Sequence, residues 1–238
     1  MSGEYVQQVL LPTLQKIGLP VNVQVDVVKR GWAGGAGQEI GEVKVSVVAE
    51  KGDDGQETGD ARLNGFGVVD RGSIEKISVS IVARPESLRQ QVMQKVRQQV
   101  SERFDVPVEA VVDDDSGHES RFYLLLVAHT TNGWRIGHDF LGSGAKMRNA
   151  RQVEILVDAS VQRAVGNLDT EFKRGGCVDE HLQDQLAIFQ ALARGKNVVD
   201  AGSCRGDGTL HTRTVRWVCK EMLEVKFGEH GLCEGSEG

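Results

Sequence analysis

Hydrophobic side chains recur with two different periods along this chain, and the two periods alternate. Between residues 4 and 17 they follow helical spacing, and Gly18 and Pro20 then end the pattern. Directly afterwards the segment VNVQVDV, residues 21–27, alternates strictly between apolar and polar residues, as a strand with one buried face does. Strand and helix patterns interleave over the rest of the chain. The sequence therefore predicts an α/β (α+β) fold in which helices back the sheets.

The middle of the chain is predicted to be a compact unit. Residues 50–65 are rich in Gly, Asp and Glu and indicate an exposed connection, with a domain boundary near Val69. The order beyond it is strand, helix, three strands and helix, with an acidic turn at 113–115 and the last helix over 149–168. Later in the chain, helices are predicted at 179–193 and 210–223, and strands at 197–201 and 224–227. The tail from residue 233 is expected to be disordered.

Composition excludes several classes of protein. No apolar run approaches the roughly 20 residues that cross a bilayer, and the start MSGEYVQQVL lacks the features of a secretory signal, so no membrane is expected. The net charge of -6 argues against a protein that coats nucleic acid, although it leaves room for a local site. The four cysteines are widely separated, which favours reduced thiols over a zinc site.

The segment GGCVDEHLQDQL, residues 175–186, contains the first candidate site. His181, Asp184 and Gln185 are spaced i, i+3 and i+4, so they share one helical face. An aspartate and a glutamine can hydrogen-bond sugar hydroxyls or a base edge, and a flat imidazole can stack on a purine. An ordinary solvated helix face would show the same periodicity, so that alternative stays open.

The second candidate site is DGTLHTRT, residues 207–214, which predicts a loop that leads into a helix. Free N–H groups and the helix dipole favour anions such as phosphate at a helix start. His211 would lie in the first turn, where positive potential favours an uncharged imidazole, the form that a nucleophile attacking phosphorus needs. A capping or packing histidine is the alternative, and Arg205 and Arg213 are weaker candidates for phosphate contacts.

Together these segments resemble the C-terminal region of the RNA 3'-terminal phosphate cyclase family, in the branch found in eukaryotes. GGCVDEHLQDQLAIFQALARG and DGTLHTRTVRWV carry the resemblance, and EYVQQVLLPTLQKIG and FLGSGAKMRNARQVEILVDA extend it more weakly. The resemblance implies that His211 is the adenylylated nucleophile and that Asp184 and Gln185 contact the nucleotide. His181 stands where the family usually has a tyrosine that stacks on adenine.

The resemblance also implies an architecture and a reaction. Repeated units of a four-stranded sheet and two helices would form a larger domain, 1–68 and 171–238, interrupted by a smaller inserted α/β domain, 69–170. The reaction is the ATP-dependent conversion of an RNA 3'-terminal phosphate to a 2',3'-cyclic phosphate through a histidine-AMP intermediate. ATP, magnesium or another divalent cation and RNA 3' ends are the implied cofactors and partners, in the nucleus (nucleoplasm) or cytoplasm.

The chain also departs from the family pattern. Family members begin with a long region that bears further active-site residues, and this sequence has no counterpart of it. After Arg30-Gly31-Trp32 the chain continues as AGGAGQEIGEV, without the usual proline and glycine triplet, which favours a plain hairpin over a phosphate cradle. One alternative is a non-catalytic cyclase-like protein of ribosome assembly, against which His211 argues. A second is an RNA-binding or interaction module without catalysis.

Overall fold

The structure is a computed structural model that describes residues 2–19, 21–32, 39–49, 63–142, 149–202 and 208–236. The helices are α1 (Gly3–Tyr5), α2 (Leu11–Lys16), α3 (Glu86–Arg103), α4 (Ala150–Arg174), α5 (Glu180–Leu192) and α6 (Leu210–Leu223). The strands are β1 (Val21–Lys29), β2 (Glu42–Ala49), β3 (Gly67–Val68), β4 (Ile74–Ala83), β5 (Val108–Asp114), β6 (Phe122–Thr130), β7 (Arg135–Leu141), β8 (Lys196–Val199), β9 (Lys226–Phe227) and β10 (Leu232–Glu234). Helices and sheets interleave, so the predicted α/β class is confirmed.

A helix and a two-stranded ribbon open the fold. A π-helical turn, Val6–Leu10, joins α1 to α2, and this first helix ends where Gly18 adopts φ +84°. The strands β1 and β2 pair antiparallel, which agrees with the predicted hairpin, although residues 33–38 of its connection lie outside the described part. The first helix packs on β1, and the amide of Gln7 donates to the carbonyl of Val25 at 2.6 Å.

The middle unit has the predicted order of strand, helix, three strands and helix. Its sheet runs β5-β4-β6-β7, with β4 parallel to β5 and antiparallel to β6. Both faces of β6 are buried: Leu124 and Leu126 pack toward α3 and α4, whereas Leu125 and Val127 pack toward the first helix. The central strand is therefore shared between two hydrophobic cores.

Two boundaries of this unit differ from the prediction. The acidic turn predicted at 113–115 is wrong in part, because Asp113 and Asp114 belong to β5, where cations of neighbouring elements pair with them. Arg30, for example, approaches Asp114 to 2.8 Å. The last helix continues past residue 168 to Arg174, because its apolar stripe reaches that far and Gly175, at φ +86°, then ends it.

The third sheet contains the remaining strands in the order β3-β8-β10-β9. The predicted disorder of the tail is wrong from residue 233 to the end of β10, which lies between β8 and β9 and buries Cys233. Burial raises the pKa of the Cys177 and Cys233 thiols to about 11, so these cysteines stay protonated at neutral pH. Cys204 lies outside the described residues, as does the connection at 50–62.

Candidate functional site

The first candidate segment forms α5 as its pattern predicted. Asp179 caps the helix, since its carboxylate accepts hydrogen bonds from the backbone N–H groups of His181 and Leu182 at 3.0 and 2.9 Å. Asp184 and Gln185 are half-buried on the next turn, and the Gln185 amide donates to Asp184 at 3.1 Å. The helix therefore buries an apolar stripe and keeps a separate polar face.

The imidazole of His181 is exposed but not isolated. Its ring centre lies 6.1 Å from that of Tyr5 at an interplanar angle of 89°, and 6.3 Å from that of His138 at 61°. Both arrangements are edge contacts of the kind that aromatic pairs prefer. The ring at the predicted stacking position is thus steadied by two neighbours while part of it remains open to solvent.

The second candidate segment forms α6, again with the predicted start. Gly208 adopts φ +86°, and a Cβ there would come within 2.8 Å of Thr212 Cγ2, so glycine suits this turn. Thr209 then caps the helix by accepting a hydrogen bond from the Thr212 N–H at 3.2 Å. His211 lies in the first turn with its side chain exposed. The imidazole is therefore accessible beside a helix N-terminus.

The helices α5 and α6 pack against each other. Buried side chains near their C-terminal halves, Ala191 and Cys219, form a small core with Val225. Among the described residues, no side-chain hydrogen bond or ion pair joins His211 to Asp184 or Gln185. The two candidate segments thus lie on adjacent helices that pack together, and within the described part of the chain no such contact joins their candidate side chains.

A cavity of about 720 Å³ lies along a different face of α5, lined there by Glu180 and Gln183. Gly208 and Thr209 border it at the start of α6. None of the four residues that the sequence singled out is among its lining in the described part of the chain. The polar face of α5 that bears Asp184 is therefore a surface site rather than part of this cavity.

Two arginines of the cavity wall were not assigned a role from the sequence. Arg174 pairs with the carboxylate of Glu171 at 2.5 Å, and the guanidinium of Arg216 lies 5.4 Å from the ring centre of Phe227. Both stand in basic stretches near the candidate segments, but a stretch of sequence does not say which way its side chains point. Arg213 is exposed on α6, and Arg205 lies outside the described residues.

Neither a metal-binding cluster nor a membrane-spanning helix is present in the described ranges. No group of three or more His, Cys, Asp or Glu side chains there is arranged to hold a metal ion. None of the helices found in those ranges is long and apolar enough to span a bilayer.

Comparison with known proteins adds an observation independent of this geometry. The family model described as RNA 3'-terminal phosphate cyclase matches residues 1–228. The chain belongs to the RNA 3'-terminal phosphate cyclase family. The cyclase match includes both candidate segments and nearly all of the fold.

Individual relatives are distant but extend along the chain. A "Probable RNA 3'-terminal phosphate cyclase" of Dictyostelium discoideum is 24% identical over 95% of the chain and 48% of its own length. The RNA 3'-terminal phosphate cyclase of Drosophila melanogaster is 25% identical over 94% of the chain and 56% of its own length. That of a Saccharolobus islandicus strain is 25% identical over 96% of the chain and 59% of its own length. The chain therefore spans about half the length of the curated cyclases that it matches.

Proposed function

We propose that this chain carries the adenylyl-transfer chemistry of an RNA 3'-terminal phosphate cyclase, with His211 as the nucleophile. The observation that most supports this proposal is the position of His211, which is exposed in the first turn of a capped helix that packs against α5. Membership of the cyclase family supports ATP and RNA as substrates. Because the chain covers only 48% and 56% of the lengths of the first two relatives, the whole reaction is proposed for this chain rather than taken over from them.

In the first step a ring nitrogen of His211 attacks the α-phosphorus of ATP. A nitrogen–phosphorus bond forms, the bond to the bridging oxygen of the β-phosphate breaks, and pyrophosphate leaves with that electron pair. The start of α6 suits this step, because free N–H groups and the helix dipole stabilise negative charge that develops on the phosphate. The product is a histidine-AMP phosphoramidate.

Two further transfers complete the cycle. An oxygen of the RNA 3'-phosphate attacks the phosphorus of the bound AMP, which releases His211 and leaves an activated diphosphate linkage at the RNA end. The neighbouring 2'-hydroxyl then attacks the terminal phosphate, loses its proton, and expels AMP to give the 2',3'-cyclic phosphate. Covalent catalysis is useful here because it divides one difficult activation into exchanges between similar bonds.

The polar face of α5 supplies the binding contacts in this proposal. Asp184 and Gln185 would accept and donate hydrogen bonds to the ribose or the adenine edge, and the partly exposed imidazole of His181 would stack on the base. Magnesium or another divalent cation would arrive bound to the triphosphate oxygens and offset their charge. No residue of the chain is assigned as its ligand.

The test is covalent labelling with ATP that carries its label at the α-phosphate. The wild type is expected to retain label that is lost in acid and kept in alkali, as the lability of a phosphoramidate requires. His211→Ala is expected to retain none. His118→Ala, which removes another exposed histidine, is the matched control and should label like the wild type.

Two results would overturn this assignment. Label on His211→Ala at the wild-type level would show that another residue is the nucleophile. An unlabelled wild type that still binds RNA with a 3'-phosphate would favour the module without catalysis.

A further inference from the structure

One buried carboxylate, that of Asp179, joins three elements of the fold. Only 1% of this residue is exposed. Its Oδ1 accepts the hydroxyl of Tyr5 at 2.6 Å in addition to the two N–H groups at the start of α5. Its Oδ2 accepts the N–H of Gly137 in β7 at 2.8 Å. The first helix, the middle sheet and α5 thus meet at a single side chain.

The contacts are specific to a carboxylate. Each of the four partners is a donor, and an ionised carboxylate accepts without donating, so every partner is satisfied. Burial raises the pKa of Asp179, while the hydrogen bonds from Tyr5 and from the backbone of Gly137 and Leu182 oppose that effect. Burial, together with the charge of Asp179, also raises the pKa of Tyr5, so its hydroxyl keeps the proton that it donates.

We call Asp179 with its partners Tyr5 and Gly137 the joint, and the backbone of β7 packs closely against the first helix there. A Cβ on Gly137 would come within 2.8 Å of Val9 Cγ2 and 2.9 Å of Tyr5 Cε2, so the first helix rests directly on the backbone of β7. On the other side, the N–H of Cys177 donates to the carbonyl of Asp200 at 2.8 Å. The start of α5 is therefore held by hydrogen bonds from several directions.

The joint lies next to the residues that the proposed function assigns to nucleotide binding. The N–H of His181 is one of the four donors, and the ring of His181 contacts Tyr5, another of them. His138, the second ring against His181, follows Gly137 in β7. Asp184 lies one turn further along the same helix. A displacement at Asp179 would therefore move the whole polar face relative to α6.

We propose that Asp179 is a positioning residue for the nucleotide: it ties α5 to the first helix and to β7, and so places the α-phosphorus of ATP opposite His211. The inference rests on the proposed function. Asp179 touches neither the reacting atoms nor the base; it acts through the orientation of α5.

Two variants separate the contacts. Tyr5→Phe removes one donor and keeps the ring against His181, with little change in volume. Asp179→Asn keeps an oxygen for the helix cap but turns an amide N–H toward the N–H of Gly137, which leaves that buried donor unsatisfied. Asn149→Ala is the control, because it removes the cap of α4, where Asn149 accepts from the Gln152 N–H at 2.9 Å away from α5.

The measurement is the first-order rate constant of self-adenylylation over a range of ATP concentrations. Unlike the amplitude, this constant does not depend on the fraction of protein that is folded. Because the binding residues move with α5, we expect the rate constant at saturating ATP to fall roughly 10- to 100-fold in both variants. The half-saturating ATP concentration should change less than about threefold. Asn149→Ala should match the wild type in both quantities.

Hydrogen exchange provides a second readout that needs no catalysis. The amides of residues 178–186 should exchange faster in Tyr5→Phe than in the wild type, and those in Asn149→Ala should not. Suppose that the wild type is labelled and that the rate constants of both variants are within twofold of the wild-type value. That result would overturn the positioning role and leave the proposed function intact. Unchanged exchange in Tyr5→Phe would also overturn that role. An unlabelled wild type would overturn the proposed function, and this inference with it.

Discussion

The middle sheet and the β1–β2 ribbon are built from similar valine-rich strands, yet they are covered very differently. Val79, in the centre of β4, is 0% exposed between packed helices, whereas Val45, in β2, is 58% exposed. In both β4 and β2 apolar residues alternate with polar ones before a short apolar end. The sequence pattern alone therefore does not show which of the two strands is buried. The difference is in what packs against each sheet.

The region around α6 resembles the ribbon in this respect. Trp217 is 62% exposed and Met222 is 76% exposed, although both belong to an amphipathic helix. The core of the middle unit, between its sheet and the helices α3 and α4, is therefore closed, and we call this unit the frame. The ribbon and α6 keep apolar surface open, although Val111, Leu141 and Ile155 on the outside of the frame are exposed as well. The helix α6, to which the proposed function assigns the nucleophile, is one of these open parts. The carboxylate of Asp179 connects the neighbouring helix α5 to the frame through its hydrogen bonds with Tyr5 and with Gly137 of β7.

The largest change in the free energy of unfolding is expected from shortening a buried side chain in the core of the frame. Val79→Ala removes two methyl-sized groups from a fully buried position and should lower the free energy of unfolding by about 2–3 kcal/mol. Urea denaturation followed by circular dichroism would measure it. A loss below about 0.5 kcal/mol would mean that the sheet is not packed as closely as described.

The next effect concerns the contact between the frame and the first helix. Gly137→Ala places a methyl group within 3 Å of Val9 and Tyr5, so overpacking should cost roughly 1–3 kcal/mol. The same denaturation experiment applies, with Gly67→Ala as the control, because a Cβ at Gly67 meets nothing within 4 Å. Equal stability of the two variants would contradict the close approach.

One pH effect on stability is expected from His129, in strand β6 of the frame. Burial, aided by Arg135 and Lys76, lowers the pKa of His129 to about 4. Unfolded histidine titrates near 6.5, so between about pH 6.5 and 4 only the unfolded state gains this proton, and stability falls as the pH falls. Because the ring is about half-buried, the loss should be about 1–2 kcal/mol.

Comparison of the wild type with His129→Gln at pH 7 and pH 4.5 isolates this contribution. The variant should lose less stability between the two values than the wild type does. The same loss in both proteins would show that other groups cause the acid sensitivity.

The smallest effect is expected on the open ribbon. Val45→Ala makes the same chemical change as Val79→Ala at a position that is 58% exposed, so the free energy of unfolding should change by less than about 0.5 kcal/mol. A loss comparable to that of Val79→Ala would mean that this face of β2 is covered in solution.

Elements with a clear period were predictable from the sequence. The helix predicted at 210–223 is found at Leu210–Leu223, because its apolar spacing, the Thr209 cap and a left-handed residue at Glu224 all mark the same bounds. The strand β10 was missed, since three residues show no period and their conformation depends on pairing with β8 and β9.

The same limit applies to the candidate site. The shared face of His181, Asp184 and Gln185 follows from spacing within one helix and was predictable. The role of Asp179 as a joint was not, because Tyr5 and Gly137 lie 174 and 42 residues away in the chain. Only the folded arrangement brings a phenol, a glycine N–H and a carboxylate together.

Covalent attachment of AMP to one histidine is best examined by mapping the site of the adduct. The protein would be incubated with ATP and divalent cation, digested under mildly alkaline conditions that preserve a phosphoramidate, and sequenced by mass spectrometry. We expect AMP on the peptide that contains His211, with fragment ions that assign it to the imidazole. AMP on a lysine or on a different histidine would contradict it.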